Sequence, residues 1–243
     1  MQHKVTTSSG IKNLDESTGG YPGWVFNIVE TPDHQSGLLL LGHFLKEGLK
    51  KGERCTIVTL EDPLALFQSF STWGLDFYEY VRSEQLVFLF YQPFVTTEIG
   101  MTNDYRGLMK ELEKLSVNPP ERIAFHQVDA LLNLHSHTLI NSCVQKLAAA
   151  AASTSATVLA QYTQFNSRVY RDIRIAFMNN MPGFFTLKAE GRSPKSGNPL
   201  YRLTVDRVPW FHTDDERYLL ELEKEHGFTA AEEGTIRNVD EAA

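Results

Sequence analysis

Glu30-Thr31-Pro32-Asp33-His34-Gln35-Ser36-Gly37-Leu38 is the stretch on which the reading of this chain turns. Upstream, Trp24 to Val29 is a mostly apolar run that predicts a buried strand. Downstream, Leu38 to Lys51 carries Leu38, Leu39, Leu40, Leu41, Phe44, Leu45 and Leu49, too many apolar positions for one exposed stripe, and predicts a helix buried on several sides. A strand running through a loop into such a helix opens many α/β domains, and the helix amides near Gln35, Ser36 and Gly37 offer a partial positive end to an anion. The side chains of the loop oppose that role, because Glu30 and Asp33 are acidic and no lysine or arginine is present. An unfavourable unit-charge pair at ~5 Å costs about 3 kcal/mol at an effective dielectric of ~20, or roughly two orders of magnitude in affinity. Lys46, the nearest lysine downstream, lies about 13 Å further along the helix at ~1.5 Å per residue. The job left to the segment is to join strand to helix, with Asp33 or Ser36 as the cap.

The same alternation continues outward. Further strands are expected at Cys55 to Leu60, Leu86 to Tyr91, Arg122 to Val128 and Thr157 to Tyr162, with helices at Pro63 to Trp73, Tyr105 to Leu115 and Thr138 to Ala152. Strands and helices in alternation predict a mostly parallel sheet covered on both faces. Ala148 to Ala152 reads as a helix end packed close to a sheet. Phe184 to Glu190 and Leu200 to Asp206 flank a Gly, Ser and Pro-rich basic connector, which predicts a C-terminal antiparallel hairpin with a mobile tip, and another strand is expected at Arg217 to Leu222. Residues 1–228 form one expected domain, and 229–243 an acidic, apolar-poor tail expected to lack order.

The chain has 243 residues, 42% hydrophobic, with a net charge of -7 and a pI near 5.6. That balance disfavours a broad nucleic-acid surface, which needs clustered Lys and Arg. Cys55 and Cys143 fall in an expected strand and an expected helix, as buried thiols rather than a disulfide framework. The first residues lack an apolar signal core and no apolar run approaches a membrane span, so a soluble cytoplasmic chain without membrane insertion is expected.

Ser9-Gly10-Ile11 with Leu14-Asp15 and Gly19-Gly20 resembles the opening of the KaiC-like branch of RecA-fold ATPases. The order of later motifs strengthens the likeness: Phe44-Leu45 and Glu47-Gly48-Leu49 in the first long helix, Gly52-Glu53 before the second strand, Leu60-Glu61-Asp62-Pro63 after it, then Trp73-Gly74-Leu75-Asp76 and Leu86-Val87-Phe88. Val205-Asp206-Arg207 through His212 stands where that family has a basic strand leading to a histidine. The resemblance implies a RecA-like three-layer sandwich and a glycine-rich loop that holds ATP and magnesium through a lysine and a hydroxyl. It also implies domains that assemble side by side.

The implied chemistry is missing from the letters. The lysine place is Gly37 and the hydroxyl place Leu38, so the loop Thr31, Pro32, Asp33, His34, Gln35, Ser36, Gly37 and Leu38 is a degenerate cofactor loop. The metal-organising aspartate of the fourth strand is replaced by His126, a poor magnesium ligand. The basic residues that would reach a neighbour's nucleotide fall near Asp206 and Val208, with Arg207 turned to the opposite face. Glu61 and Asp62 remain as remnant catalytic candidates, read here as a solvated carboxylate pair in which Asp62 before Pro63 starts a helix.

The expected function is therefore a catalytically inactive domain, without ATP, magnesium or another metal, acting through protein interaction and self-association. Trp24, Tyr21, Trp210 and Phe211 are the candidate contact residues. Two alternatives stay open: weak ATP hydrolysis through Glu61, and single-strand binding by Lys188, Arg192, Lys195, Arg202 and Arg207 with nearby aromatics. A zinc site from His126, His135, His137 and Asp129, and an Arg237 to Asp240 ligand motif, are weaker patterns.

Overall fold

The computed structural model describes residues 5–90, 119–131, 137–164, 168–209 and 217–231. Eleven strands and seven helices are formed among them: β1 (Thr6–Thr7), α1 (Lys12–Thr18), β2 (Tyr21–Pro22), β3 (Phe26–Thr31), α2 (His34–Lys50), β4 (Cys55–Thr59), α3 (Pro63–Thr72), α4 (Tyr78–Arg82), β5 (Leu86–Phe90), β6 (Arg122–Phe125), α5 (Val128–Leu131), α6 (His137–Thr154), β7 (Thr157–Thr163), α7 (Arg168–Asn180), β8 (Gly183–Arg192), β9 (Pro199–Arg207), β10 (Arg217–Glu223) and β11 (Gly227–Ala230).

Nine strands make one sheet in the order β11-β10-β9-β8-β3-β7-β6-β4-β5. From β8 to β5 every neighbouring pair is parallel, and β8, β9, β10 and β11 run antiparallel. The mostly parallel sheet with an antiparallel C-terminal hairpin is as expected. Side chains alternate across it. Val29, Ile57, Leu159 and Phe185 join the core under α2, whereas Ile28, Val58, Val158 and Phe184 join the core shared with α6 and α7. Helices thus cover both faces, giving three layers.

The opening motif has a local physical role. Asp15 accepts hydrogen bonds from the amides of Ser9 at 2.6 Å and Gly10 at 3.2 Å, while Ile11 and Leu14 are buried. Gly19 ends α1 at φ 81°, and Gly20 follows at φ 96°, where a β-carbon would lie 2.3 Å from Thr7 O. At the amino end of the sheet, the guanidinium of Arg122 is 1% exposed and lies 4.9 Å from the Phe44 ring. It ion-pairs with Glu53 and donates at 2.7 Å to Ser8 O and to Phe44 O. A charge so deep is tolerated because its donors are used, and it fastens the N-terminal segment to α2 and β6.

Several expectations need correction. α2 begins at His34, a full turn before Leu38; β6 ends at Phe125, so His126 is in a turn and Gln127 has φ 55°. α7 was not anticipated. The tail boundary at Thr229 falls inside β11, whose Phe228 amide donates to His43 Nε2 on α2 at 2.8 Å. The hairpin tip expected to be mobile is tied down, by Ser193 N to Asn198 O at 2.7 Å and Asn198 Nδ2 to Glu221 at 2.8 Å. Tyr91, the helix at Tyr105 to Leu115, Trp210, Phe211, His135 and the tail from 232 onward lie outside the described residues. Among those described, no helix is long and apolar enough to cross a membrane.

Candidate functional site

The loop between β3 and α2 is closed by its own hydrogen bonds. Asp33 is the N-cap, its carboxylate accepting from Ser36 N at 2.7 Å, while Gly37 N donates to Asp33 O at 3.4 Å. Two amides that a phosphate would require are spent inside the turn. The capping role expected of Asp33 is what the structure shows, and it carries the helix back over Gln35 and Ser36, so the loop itself is shorter than the resemblance implied.

Gln161 of β7 fills the space beside that turn. It is fully buried, its Nε2 donates to Thr31 Oγ1 at 3.1 Å and Thr163 Oγ1 at 3.0 Å, and its Oε1 accepts from Gln127 N at 3.0 Å. A β-carbon on Gly37 would come within 2.2 Å of Gln161 Cγ. Gly37 is helical and needs no special φ; its missing side chain is what lets Gln161 sit there. Leu38 is core, at 6% exposure.

Glu30 is not the repulsive charge that its place in the loop implied. Strand alternation turns it away from α2 toward α7, where it is 2% exposed, accepts from the Tyr162 hydroxyl and is paired to Arg174 Nε at 2.7 Å. Burial first, then the Glu30 carboxylate, push the Tyr162 phenol upward. Asp206 lies near the same network, accepting from Thr186 Oγ1 at 2.6 Å; desolvation raises its carboxyl against the opposing pull of Thr186 and Arg174. Arg207 donates to Met178 O at 2.6 Å. Glu30, Tyr162 and Arg174 are residues that sequence reasoning left without a joint role.

Beside the start of α2 is a cavity of about 280 Å³ lined by His34, Gln35, Leu38, Leu39, Glu61, Ser69, Thr72, Trp73 and His126. The structure therefore brings Glu61 and His126 together with His34 and Gln35 at the start of α2. Glu61 is exposed and accepts from Gln127 Nε2 at 2.6 Å. Asp62 turns elsewhere and caps α3 through Leu64 N at 2.7 Å, with Pro63 in the first turn. His126 is 2% exposed, and neither ring nitrogen has a hydrogen-bond partner. Desolvation, with His34 adding to it, lowers its pKa to about 4. His34 Nδ1 is 2.8 Å from Thr163 Oγ1.

The remaining candidates do not gather here. Lys46 donates to Asp76 O and lies 4.8 Å from the Tyr80 ring centroid, remote from the loop. No group of three His, Cys, Asp or Glu able to hold a metal occurs among the described residues. Phe184 and Phe185 are core on opposite faces and give no stacking platform, and Arg202 is paired with Glu190 at 2.9 Å. Tyr21 is fully buried, edge-on to Phe44 and Phe185, which removes it from any contact surface; Trp24 is 60% exposed.

Comparison with known proteins is consistent with this geometry. The family model described as "ATPase: KaiC" matches residues 7–168. The circadian clock oscillator protein KaiC of Rippkaea orientalis is 33% identical over 128 residues, covering 51% of this chain and 23% of that protein. The protein of the same name from Thermostichus vulcanus is 30% identical over 131 residues, covering 52% of this chain and 24% of the relative. The matches thus take in about a quarter of those relatives' length. The crystal structure of a KaiC-like protein from Pyrococcus horikoshii superposes with a TM-score of 0.73 at 16% identity, covering 94% of this chain and 99% of that one. With a family match across more than half of its length, and a RecA-like fold beneath it, the chain belongs to the KaiC ATPase family.

Proposed function

We propose that this KaiC-family domain is catalytically inactive, takes neither ATP nor magnesium, and works as a structural or regulatory interaction module that associates with itself or a protein partner. The observation that supports the reading is Gln161 packed on Gly37. Phosphate binding needs a lysine and free amides at the head of α2, and here the space beside Gly37 is filled from the neighbouring strand β7 while Asp33 accepts from two amides of the turn. Trp24, standing 60% exposed beyond β2, supplies a surface anchor of the kind interfaces favour.

Calorimetry with Mg-ATP at millimolar concentration tests the inactive half, with phosphate release measured on the wild type and on Glu61→Gln. No heat and no release are expected; binding with Glu61-dependent release would establish the competing ATPase reading. Light scattering across a concentration series tests the other half. Association weakened by Trp24→Ala is the expected result, and a strict monomer at every concentration that also captures no protein would reject it.

A further inference from the structure

Trp24 is held in a costly conformation. Its φ of 59° lies in the left-handed region that a bulky side chain rarely adopts, and neighbours fix it there: Trp24 N donates to Thr157 Oγ1 at 3.0 Å, that hydroxyl lies 2.7 Å from Thr7 Oγ1, and Gly23 N donates to Val5 O at 2.9 Å. Yet the indole is exposed and makes no hydrogen bond or ring contact among the described residues. A fixed backbone thus presents to solvent a large apolar knob with one N–H donor and no acceptor. The cavity between the head of α2 and the exposed side of α3 offers the complement. Leu38, Leu39 and Trp73 give it apolar and aromatic wall, and Glu61 gives it a carboxylate of which only Oε1 is used, by Gln127 Nε2. At about 280 Å³ it is smaller than the usual ~300–1,000 Å³ of a drug-sized site and suits a side chain of two fused rings. The two features stand at opposite ends of β3, which spans about 20 Å at ~3.3 Å per residue, so Trp24 cannot enter the cavity of its own molecule. Charge favours a contact between these ends. Asp33, Glu61 and Asp62 are exposed at the carboxyl end, and no lysine or arginine lines the cavity among the described residues. At the amino end Glu47, Glu53 and Glu121 are paired with Lys51, Arg122 and Arg54, while Lys50, exposed at the end of α2, has no ion pair among the described residues. An uncharged knob on the end with the spare cation faces an acidic socket.

We infer that two copies of this chain join head to tail, the Trp24 indole of one seated in the cavity of the next, against Leu38, Leu39 and Trp73, with its Nε1–H donated to the Glu61 carboxylate. Resting on the self-association proposed above, this contact joins two different patches and is therefore heterologous. It propagates into a ring or a filament and does not stop at a two-fold dimer.

Two variants of the full chain isolate the contact. Trp24→Gly removes the knob and suits the positive φ, and Thr72→Tyr crowds the socket from the exposed side of α3. Should Thr72→Tyr melt at a lower temperature than the wild type, Ser69→Tyr, one turn earlier on the same exposed side, takes its place. In sedimentation velocity the wild type is expected to form species larger than a dimer as its concentration rises, and each variant alone to associate at least tenfold more weakly. A one-to-one mixture of the two variants should give a heterodimer and nothing larger, because only the knob of the Thr72→Tyr copy and the socket of the Trp24→Gly copy remain. If the wild type associates but Thr72→Tyr associates equally, or the mixture stays monomeric at concentrations where the wild type assembles, the head-to-tail contact is overturned while self-association stands. A wild type that is monomeric at every concentration would overturn self-association and this contact with it, so the two failures are distinguishable.

Discussion

Gln161 approaches Gly37 so closely that the two positions are one packing unit: any β-carbon at 37 would sit 2.2 Å from Gln161 Cγ. Gly37→Lys, which restores the letter that phosphate binding requires, is therefore expected to lower stability by about 1–3 kcal/mol, the usual cost of overpacking, and to recruit no Mg-ATP. The coupling can be isolated. Gly37→Ala should destabilise the wild type yet stabilise Gln161→Ala by roughly 0.5–1 kcal/mol, since alanine is the better helix former once the clash is gone. Urea denaturation of the four proteins measures it.

Glu30 has Arg174 as its charge partner, 2.7 Å away. Removing one partner of a buried pair costs about 3–5 kcal/mol, and because the Arg174 side chain is 40% exposed a smaller loss, about 2–3 kcal/mol, is expected for Arg174→Met. Glu30→Gln in that background should restore part of it, because the Tyr162 hydroxyl can still donate to the amide oxygen. Failure of the double variant to recover would show that Arg174 acts through packing on Phe184.

Asp33→Ala removes the cap of α2 and should cost about 1 kcal/mol, the ordinary value of an N-cap. Asp33→Asn should retain most of that stability, because an amide oxygen also accepts from Ser36 N. Thermal melts separate the two.

Acid sensitivity follows from His126 and His43, both lowered from 6.5 to about 4; burial is the larger cause in each, followed by His34 for the first and Lys50 for the second. Above pH ~6.5 neither is protonated in the folded or the unfolded chain, and their contribution is complete. As the pH falls below 6.5 the unfolded chain gains protons that the folded chain refuses, so stability declines until about pH 4, by as much as ~3 kcal/mol per histidine. His43→Gln, whose amide can accept from Phe228 N, should flatten the decline between pH 6.5 and 4.5 in denaturant titrations.

The strand core was legible because Cys55 to Thr59 and Thr157 to Thr163 are nearly unbroken apolar or β-branched runs, the pattern of strands buried on both faces. α7 was not, although Tyr170, Ile173 and Phe177 keep helical spacing, because arginines at 168, 171 and 174 mask its apolar face. That positions 37 and 38 hold glycine and leucine, neither a lysine nor a hydroxyl, could be read directly. What fills the space could not: nothing in the letter of Gln161 says that it meets a glycine on the far side of the sequence. The side to which Glu30 points also needed the register of β3, since a slip of one residue would have turned it toward α2.

The three hydrogen bonds of Gln161 make the present arrangement hard to leave in single steps. Replacing Gln161 first would take the acceptor from the Gln127 amide and a donor from two threonine hydroxyls, and introducing a lysine at 37 first would collide with Gln161. Either intermediate is less stable than the starting chain, so the route back to a phosphate-binding loop crosses a mutational valley. On the proposed inactive reading, drift at this end of the sheet is governed by how side chains fit one another rather than by the shape of a nucleotide.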